Sequence, residues 1–157
     1  MPEADLKTSN LRDFMPYIMA RVGSLMAQSF APHLEREDIS LGMWRVLMAL
    51  HFNGPLSLGE IARTTGVNVS TLSRLIGRME KRELVSRDRS RKDSRAVHIS
   101  LLPAGEAMFQ VLWPEAARLE DIVTDGFSEA EVGQLKAVLQ EVENILSGLT
   151  EDQPEQS

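Results

Sequence analysis

Apolar residues recur over most of the chain at the three- and four-residue spacing of amphipathic helices. The first stretch, Leu11 to about Leu34, carries an apolar stripe from Leu11 to Leu25. It predicts a helix that either begins near Pro16, since proline is tolerated in a first helical turn, or is kinked there. Pro32 is expected to mark its far end. The dense apolar run from Leu41 to Phe52 is too long for a typical strand and predicts a buried helix. The first third of the chain is therefore expected to be helical.

Two short helices joined by a turn are predicted next. Ser57 and Glu60 have the spacing of a capping box and open a helix that extends to Thr65. The segment Gly66–Asn68 predicts a turn, and its last residue is a favourable N-cap for a second helix over Val69–Glu83. This order is that of a helix-turn-helix.

The second of these helices has two different faces when residues are placed at about 100° intervals. One face is small, hydroxylic and cationic, which suits an exposed surface. The opposite face is apolar and is expected in the core; it comprises Val69, Leu72, Leu75, Ile76 and Met79.

Two strands are predicted after this helix, over Leu84–Arg89 and Ala96–Leu101. In the second strand apolar and polar residues alternate, the period of a half-buried strand. The intervening segment, Ser90–Ser94, is polar and predicts a hairpin tip. A hairpin directly after a helix-turn-helix predicts a wing.

Two long helices are expected to close the chain. The first spans Pro103 to Asp125, and a second capping box, Ser128 with Glu131, opens the last helix. Apolar residues from Val132 to Leu149 then follow a heptad pattern. So small a winged domain offers this stripe no partner, and the stripe Leu11–Leu25 is its expected mate, partly across a two-fold axis. The sequence therefore predicts a homodimer.

The predicted fold class is mainly α with a small β-hairpin wing: a winged helix-turn-helix with N- and C-terminal dimerisation helices. The expected segments are a disordered tail at 1–9, a helical dimerisation region at 10–40 and 103–149, the winged helix-turn-helix at 41–102, and a disordered tail at 150–157.

Charge is distributed unevenly along the chain. The formal net charge is -6, which by itself argues against nucleic acid. Residues 63–95, however, contain ten basic and four acidic side chains, a net charge of +6, and the remainder carries -12. The basic segment coincides with the predicted helix-turn-helix and wing, so it can bind phosphates while the acidic remainder disfavours wrong orientations.

Double-stranded DNA with an inverted repeat is therefore the expected partner. The alternative is a winged helix that binds another protein, which favours an acidic or apolar exposed face on the second helix. A steep loss of binding with added salt would favour DNA. The candidate DNA contacts are Asn68, Ser70, Thr71, Ser73, Arg74 and Arg78 on the helix and Arg87, Arg89, Arg91 and Lys92 on the wing.

An ordered series of segments also resembles a known family. These are Trp44–Leu47, Leu56–Ala62, Ser70–Leu75, Met79–Arg82, Asp93–Ala96 and Leu101–Gly105. Together they resemble the multiple antibiotic resistance regulator (MarR) family over nearly the whole chain. The resemblance implies a dimer of winged helix-turn-helix subunits, usually a repressor relieved by a small ligand.

The resemblance also assigns roles to single positions. It implies that Asp93 and Arg95 brace the wing and place it on the DNA; the alternative is a local surface ion pair of about 0–1 kcal/mol. The chain departs from the family pattern at Glu83, where the family usually has a glycine, and at Leu102, where a threonine usually caps the next helix.

A small-molecule effector is a further expectation from the resemblance. Aromatic and methionine side chains on the helices that line the family's ligand pocket suggest an aromatic or otherwise largely apolar ligand. The alternative is that these residues, at helical spacing, belong to the core. The candidate pocket residues are Tyr17, Met43, Trp44, Met48, Phe109 and Trp113.

The remaining chemistry of the sequence argues against other functions. Cysteine is absent, which excludes disulfides, thiolate metal sites and a thiol redox switch. The histidines His33, His51 and His98 are dispersed and have no metal-ligand spacing, and no glycine-rich phosphate loop is present. Neither a signal peptide nor an apolar run of about 18 residues is found. We expect a cytoplasmic protein that is not an enzyme, with no cofactor, no metal and no membrane contact.

Overall fold

The computed structural model describes residues 10–89 and 97–151. Within these ranges a short 3-10 helix, Leu11–Asp13, precedes the helices and strands. In chain order they are α1 (Met15–Arg36), α2 (Leu41–Asn53), β1 (Leu56–Ser57), α3 (Leu58–Thr65), α4 (Val69–Lys81), β2 (Val85–Arg89), β3 (Val97–Leu101), α5 (Pro103–Thr124) and α6 (Glu129–Glu151).

The predicted fold class, mainly helical with a small wing, is confirmed. The wing has one strand more than the sequence pattern predicts, because β1 joins the hairpin in an antiparallel sheet of order β1-β3-β2. Leu56 lies opposite Ile99, and Val85 lies opposite Leu101. Sequence periodicity could not find β1, since two residues are too few to show alternation.

The expected end of the first helix at Pro32 is wrong. Helix α1 begins with Pro16 in its first turn, as one of the two alternatives had it, but continues through Pro32 to Arg36. Proline removes one backbone donor from a helix. Phe30 and Leu34, which flank it one turn apart, are both buried, and their burial favours the continued helix over a break at Pro32.

The core is built on α2 and α4, with an aromatic stack at one side. The ring of Trp44 lies 5.6 Å from that of Phe109 and 5.5 Å from that of Phe30. Burial of α2 confirms the interpretation of its apolar run. On α4 four of the five apolar positions are buried, but Val69 is 52% exposed, so its assignment to the core is wrong. It lies in the first turn, before the part of α4 that crosses the core.

Helix α4 ends two residues before its predicted end, in a Schellman motif. The amide of Leu84 donates to the carbonyl of Met79 (3.0 Å), and the amide of Glu83 donates to that of Glu80 (2.9 Å). Glu83 therefore occupies the left-handed position with φ 56°, although it carries a Cβ. Buried Leu84 and Met79 provide the hydrophobic pair that accompanies this motif.

Helix α5 passes very close to the end of this turn. The amide of Leu102 donates to the carbonyl of Leu84 (3.0 Å). A Cβ built on Gly105 would lie 2.0 Å from the same carbonyl oxygen. Only glycine therefore permits this approach, which fixes the start of α5 against the winged domain.

The chain divides into two compact units, the first ending at Leu119 and the second beginning at Glu120. In the second unit Ser128 and Glu131 form the predicted capping box, with the Ser128 amide 2.8 Å from the carboxylate. Helix α6 continues to Glu151, two residues into the predicted C-terminal tail. The predicted tail at 1–9 and the rest of the C-terminal one lie outside the described residues.

Candidate nucleic-acid interface

The first helix of the helix-turn-helix is fixed at its start by the predicted capping box. The amide of Glu60 donates to the Ser57 hydroxyl oxygen (3.3 Å), while the Ser57 amide donates to the Glu60 carboxylate (2.7 Å). The Ser57 hydroxyl also donates to this carboxylate (2.6 Å), and this bond chiefly holds the pKa of Glu60 below its ordinary value of 4.5. Because Ser57 also belongs to β1, the cap joins α3 to the wing sheet.

The turn and the cap of α4 follow the predicted chemistry. Gly66 ends α3 in the left-handed conformation, with φ 67°. The Asn68 side-chain oxygen accepts from the Thr71 amide (2.8 Å) and from the Ser70 hydroxyl (2.9 Å). Ser70 is thus part of the cap, whereas the Thr71 hydroxyl is free of it. The cap orients the first turn of α4, where the two hydroxyls lie.

All six helical candidates for DNA contact are exposed, and they lie on the side of α4 opposite its buried apolar residues. The exposed face has hydroxyls in its first turn and arginines further along, groups that hydrogen-bond base edges and phosphates. The exposed candidates are Asn68, Ser70, Thr71, Ser73, Arg74 and Arg78.

One wing arginine is held against α4. The Arg87 guanidinium lies 3.3 Å from the Glu80 carboxylate and donates to the Ser73 carbonyl at 3.4 Å. It therefore joins β2 to α4 while its side chain stays 39% exposed. Arg89 ends β2, but its side chain lies outside the described residues, as do four further wing candidates: Arg91, Lys92, Asp93 and Arg95.

The candidate effector residues fall into separate groups. Trp44, Phe109 and Trp113 form one stack, with 5.4 Å between the rings of Phe109 and Trp113. Trp113 is 38% exposed, so the stack reaches the surface. Met48 lines a different cavity of about 470 Å³ beside α3. Met43 lines a second cavity, next to the end of α4, and Tyr17 on α1 is exposed.

Comparisons with known proteins agree with this geometry. A model of the MarR family matches residues 37–96. The uncharacterised helix-turn-helix-type transcriptional regulator YsmB of Bacillus subtilis is 32% identical over 127 residues, which cover 80% of this chain and 86% of YsmB. The chain belongs to the MarR family. It is a DNA-binding transcription regulator, and regulators of this family bind DNA as dimers.

A second relative and one solved structure are also similar over most of the chain. The transcriptional repressor IacR of Pseudomonas putida is 28% identical, covering 87% of this chain and 82% of IacR. The solved structure of NadR in complex with 4-hydroxyphenylacetate has a TM-score of 0.77 at 26% identity, covering 92% of this chain and 99% of NadR.

Sequence reasoning missed several residues at the candidate interface and at the aromatic stack. Glu80, on the edge of α4, holds Arg87, and exposed Val69 lies beside the hydroxyls of the first turn. An exposed apolar side chain there can contact a thymine methyl group. His51 stacks on Phe109 at 3.7 Å and bonds Glu106 at 3.0 Å, which extends the aromatic stack. The contacts of Glu80 and His51 have no signal in local periodicity, because each joins two elements.

Two negative findings concern the described residues alone. In residues 10–89 and 97–151, no three histidine, aspartate or glutamate side chains are grouped so as to hold a metal ion. No helix in the same ranges has the length and apolar character needed to cross a membrane.

Proposed function

We propose that this MarR-family chain is a repressor that binds, as a homodimer, to an inverted-repeat operator with α4 in the major groove. Two copies of α4 then meet half-sites about 34 Å apart, one helical turn of DNA. The observation that carries the proposal is the division of α4, which buries Leu72, Leu75, Ile76 and Met79 and exposes hydroxyls and arginines on the opposite face.

Substitutions on α4 and on the wing test this proposal, because they should affect DNA binding in two different ways. Thr71→Ala removes a hydroxyl outside the N-cap and should change the preferred sequence, at a cost of about 1–3 kcal/mol if a base contact is lost. Arg91→Ala and Lys92→Ala should weaken binding to every sequence and reduce the salt slope by about one for each phosphate contact removed. The measurement is a salt titration on specific and random duplexes. Wing variants with wild-type affinity and slope would contradict a wing contact.

A protein-interaction module is the second candidate function. It predicts binding to a protein partner with no steep dependence on salt. The cationic face of α4 favours DNA, since Arg74 and Arg78 are both exposed there. Binding to duplex DNA that is unaffected by added salt would favour the alternative.

The terminal helices are proposed as the dimer interface. The heptad side chains Leu135, Leu139, Leu146 and Leu149 are 44–60% exposed in a single chain, and Val22 and Leu25 of α1 are also exposed. Exposed apolar stripes of this kind indicate association. Leu139→Asp should dissociate or unfold the protein, because it places a charge in an apolar seam. Light scattering that finds a folded wild-type monomer on mild dilution would contradict the proposal.

We also infer a small ligand that is largely apolar or aromatic and that releases the operator. Support comes from the half-exposed Trp113 at the end of the aromatic stack, and from NadR, which was solved with 4-hydroxyphenylacetate. This compound serves as the probe: it should lower operator affinity in wild type and less so in Trp113→Ala. Equal responses would exclude Trp113 from the site. We further infer that the chain acts in the cytoplasm and is not an enzyme, as its kinship with bacterial transcription regulators suggests.

A further inference from the structure

A cationic cavity lies beside the second half of α4 and joins one candidate DNA contact, Arg78, to basic side chains not considered so far. It has a volume of about 280 Å³ and lies between α4 and the turn that joins α1 to α2. A water molecule takes about 30 Å³ of liquid, so the cavity admits a phosphate group with some of its hydration. Its lining residues are Asp38, Ser40, Met43, Arg78, Lys81 and Arg82.

One of the three cations is fixed in place by the α1–α2 turn. The Arg82 guanidinium donates to the carbonyl of Asp38 and to that of Glu37, the latter at 3.0 Å. The Asp38 carboxylate lies 3.6 Å away and is 97% exposed, so solvent screens this ion pair. Arg82 is therefore a positioned charge rather than a free surface side chain.

The other two cations are exposed and lack carboxylate partners. Within the described ranges, neither Arg78 nor Lys81 lies within 4.0 Å of an acidic side chain. Three cations thus face a single acid, Asp38, and the cavity keeps a net positive charge. Uncompensated cations of this kind attract phosphate.

The position of the cavity on α4 is what connects it to DNA. At about 100° per residue, Arg78 lies within about 20° of Thr71, on the edge of the hydroxylic face that turns toward α2. The opposite edge carries Glu80, which holds Arg87 of the wing. The exposed face of α4 is therefore flanked by the wing on one side and by this cavity on the other. A duplex whose groove accepts this face has a phosphate strand on each flank.

We propose that the cavity binds a phosphate of the DNA backbone on the flank of α4 opposite the wing. Lys81 and Arg78 contact the phosphate oxygens, Arg82 provides a fixed positive charge, and Asp38 weakens the contact by repulsion. The inference rests on the DNA-binding function, but it concerns a contact that neither the wing nor the first turn of α4 provides.

The test is a salt titration of binding to a random-sequence duplex, which needs no known operator. The logarithm of the binding constant falls with the logarithm of the salt concentration by about 0.9 per phosphate contact. At 0.1 M salt, loss of one contact therefore lowers DNA affinity on the order of eightfold, and loss from both protomers lowers it on the order of sixtyfold. Lys81→Ala should approach this loss and reduce the slope by about 0.9 per protomer.

A second variant should move affinity in the opposite direction. Asp38 has φ 53°, a conformation that asparagine also tolerates, so Asp38→Asn removes the charge and keeps the turn. Removing a like charge about 5 Å from a phosphate in water is worth about fourfold in affinity per protomer. Because this variant gains affinity, unfolding cannot mimic the result.

Matched controls come from the 3-10 helix before α1. Arg12→Ala and Asp13→Asn make the same charge changes, and the 22 residues of α1 separate them from the cavity by about 33 Å. Because both residues lie in the proposed dimerisation segment, light scattering first checks that the two control variants remain dimeric. As dimers, both controls should leave the salt slope unchanged. The proposal would be overturned if Lys81→Ala and Asp38→Asn also kept the wild-type affinity and salt slope.

A free anion is the other source of the same chemistry. If inorganic phosphate stabilised wild type but not Lys81→Ala against heat, while Lys81→Ala kept the wild-type salt slope on DNA, the cavity would be an anion site that DNA does not use, and the proposal would fail. If wild type bound no duplex at any salt concentration, the proposed function itself would fail. If wild type bound DNA and the variants bound it equally well, only the proposed phosphate contact would fail.

Discussion

Glu83 provides a sharp test of how α4 ends. It occupies the C′ position of the Schellman motif with φ 56°, where a Cβ contacts the following carbonyl. Glu83→Gly removes the Cβ, and Glu83→Ala keeps it while removing the carboxylate. The difference between the two variants therefore isolates the backbone effect from the effect of charge near the C-terminus of a helix.

The expected magnitude follows from two opposing terms. The left-handed conformation costs an L residue about 1–2 kcal/mol, and glycine does not bear this cost. Glycine also loses more conformational entropy on folding, which offsets about 0.4–1 kcal/mol. Glu83→Gly should therefore be more stable than Glu83→Ala by about 0.5–1 kcal/mol, equivalent to about 2 °C in Tm for a chain of this size.

Urea unfolding at one fixed protein concentration measures this difference, since the stability of a dimer depends on concentration. The slope of the free energy of unfolding against urea should be the same for both variants. A glycine variant no more stable than the alanine variant would show that Glu83 is not strained, and the left-handed assignment would be wrong.

Two other predictions concern the winged domain. Gly105→Ala should destabilise it by about 3 kcal/mol or more, since the new Cβ meets the Leu84 carbonyl. The control Gly77→Ala, with open space around it in α4, should instead stabilise its helix by about 0.5–1 kcal/mol; equal urea midpoints would contradict the close approach. The pKa of Glu60 is lowered in the fold, so its carboxylate adds stability above its ordinary value of 4.5, and this stability is lost as the pH falls through the folded pKa. Glu60→Gln should therefore lose stability at pH 6, and the difference from wild type should shrink as the pH falls below 4.5; a constant difference would refute the hydrogen-bonded carboxylate.

Local chemistry in the sequence predicts the helix-turn-helix well. The capping box at Ser57, the turn at Gly66 and the cap at Asn68 each depend on side chains within three residues of one another, so they can be found from sequence alone. The amphipathic pattern of α4 likewise predicts which residues its exposed face carries. Both the caps and the amphipathic pattern depend on residues within a single helix or turn.

Contacts between distant segments were not predictable in this way. The extension of α1 beyond Pro32 depends on the burial of Phe30 and Leu34 in a core supplied by other helices. The cavity at Arg82 forms because α4 ends next to the α1–α2 turn, 44 residues away in the chain. The resemblance to a family indicates which elements are present, but the ion pairs at their edges belong to this chain's own side chains.

The double membership of Ser57 has a consequence for cooperativity. Its backbone pairs with β3 opposite His98, while its side chain caps α3, so the pairing of β1 with β3 closes a loop that contains the whole helix-turn-helix. Separation of β1 from the sheet releases the extended backbone on which the N-cap depends. The wing sheet and the two helices of the helix-turn-helix should then open and close as one foldon, rather than as a stable helix pair that carries an independently melting hairpin.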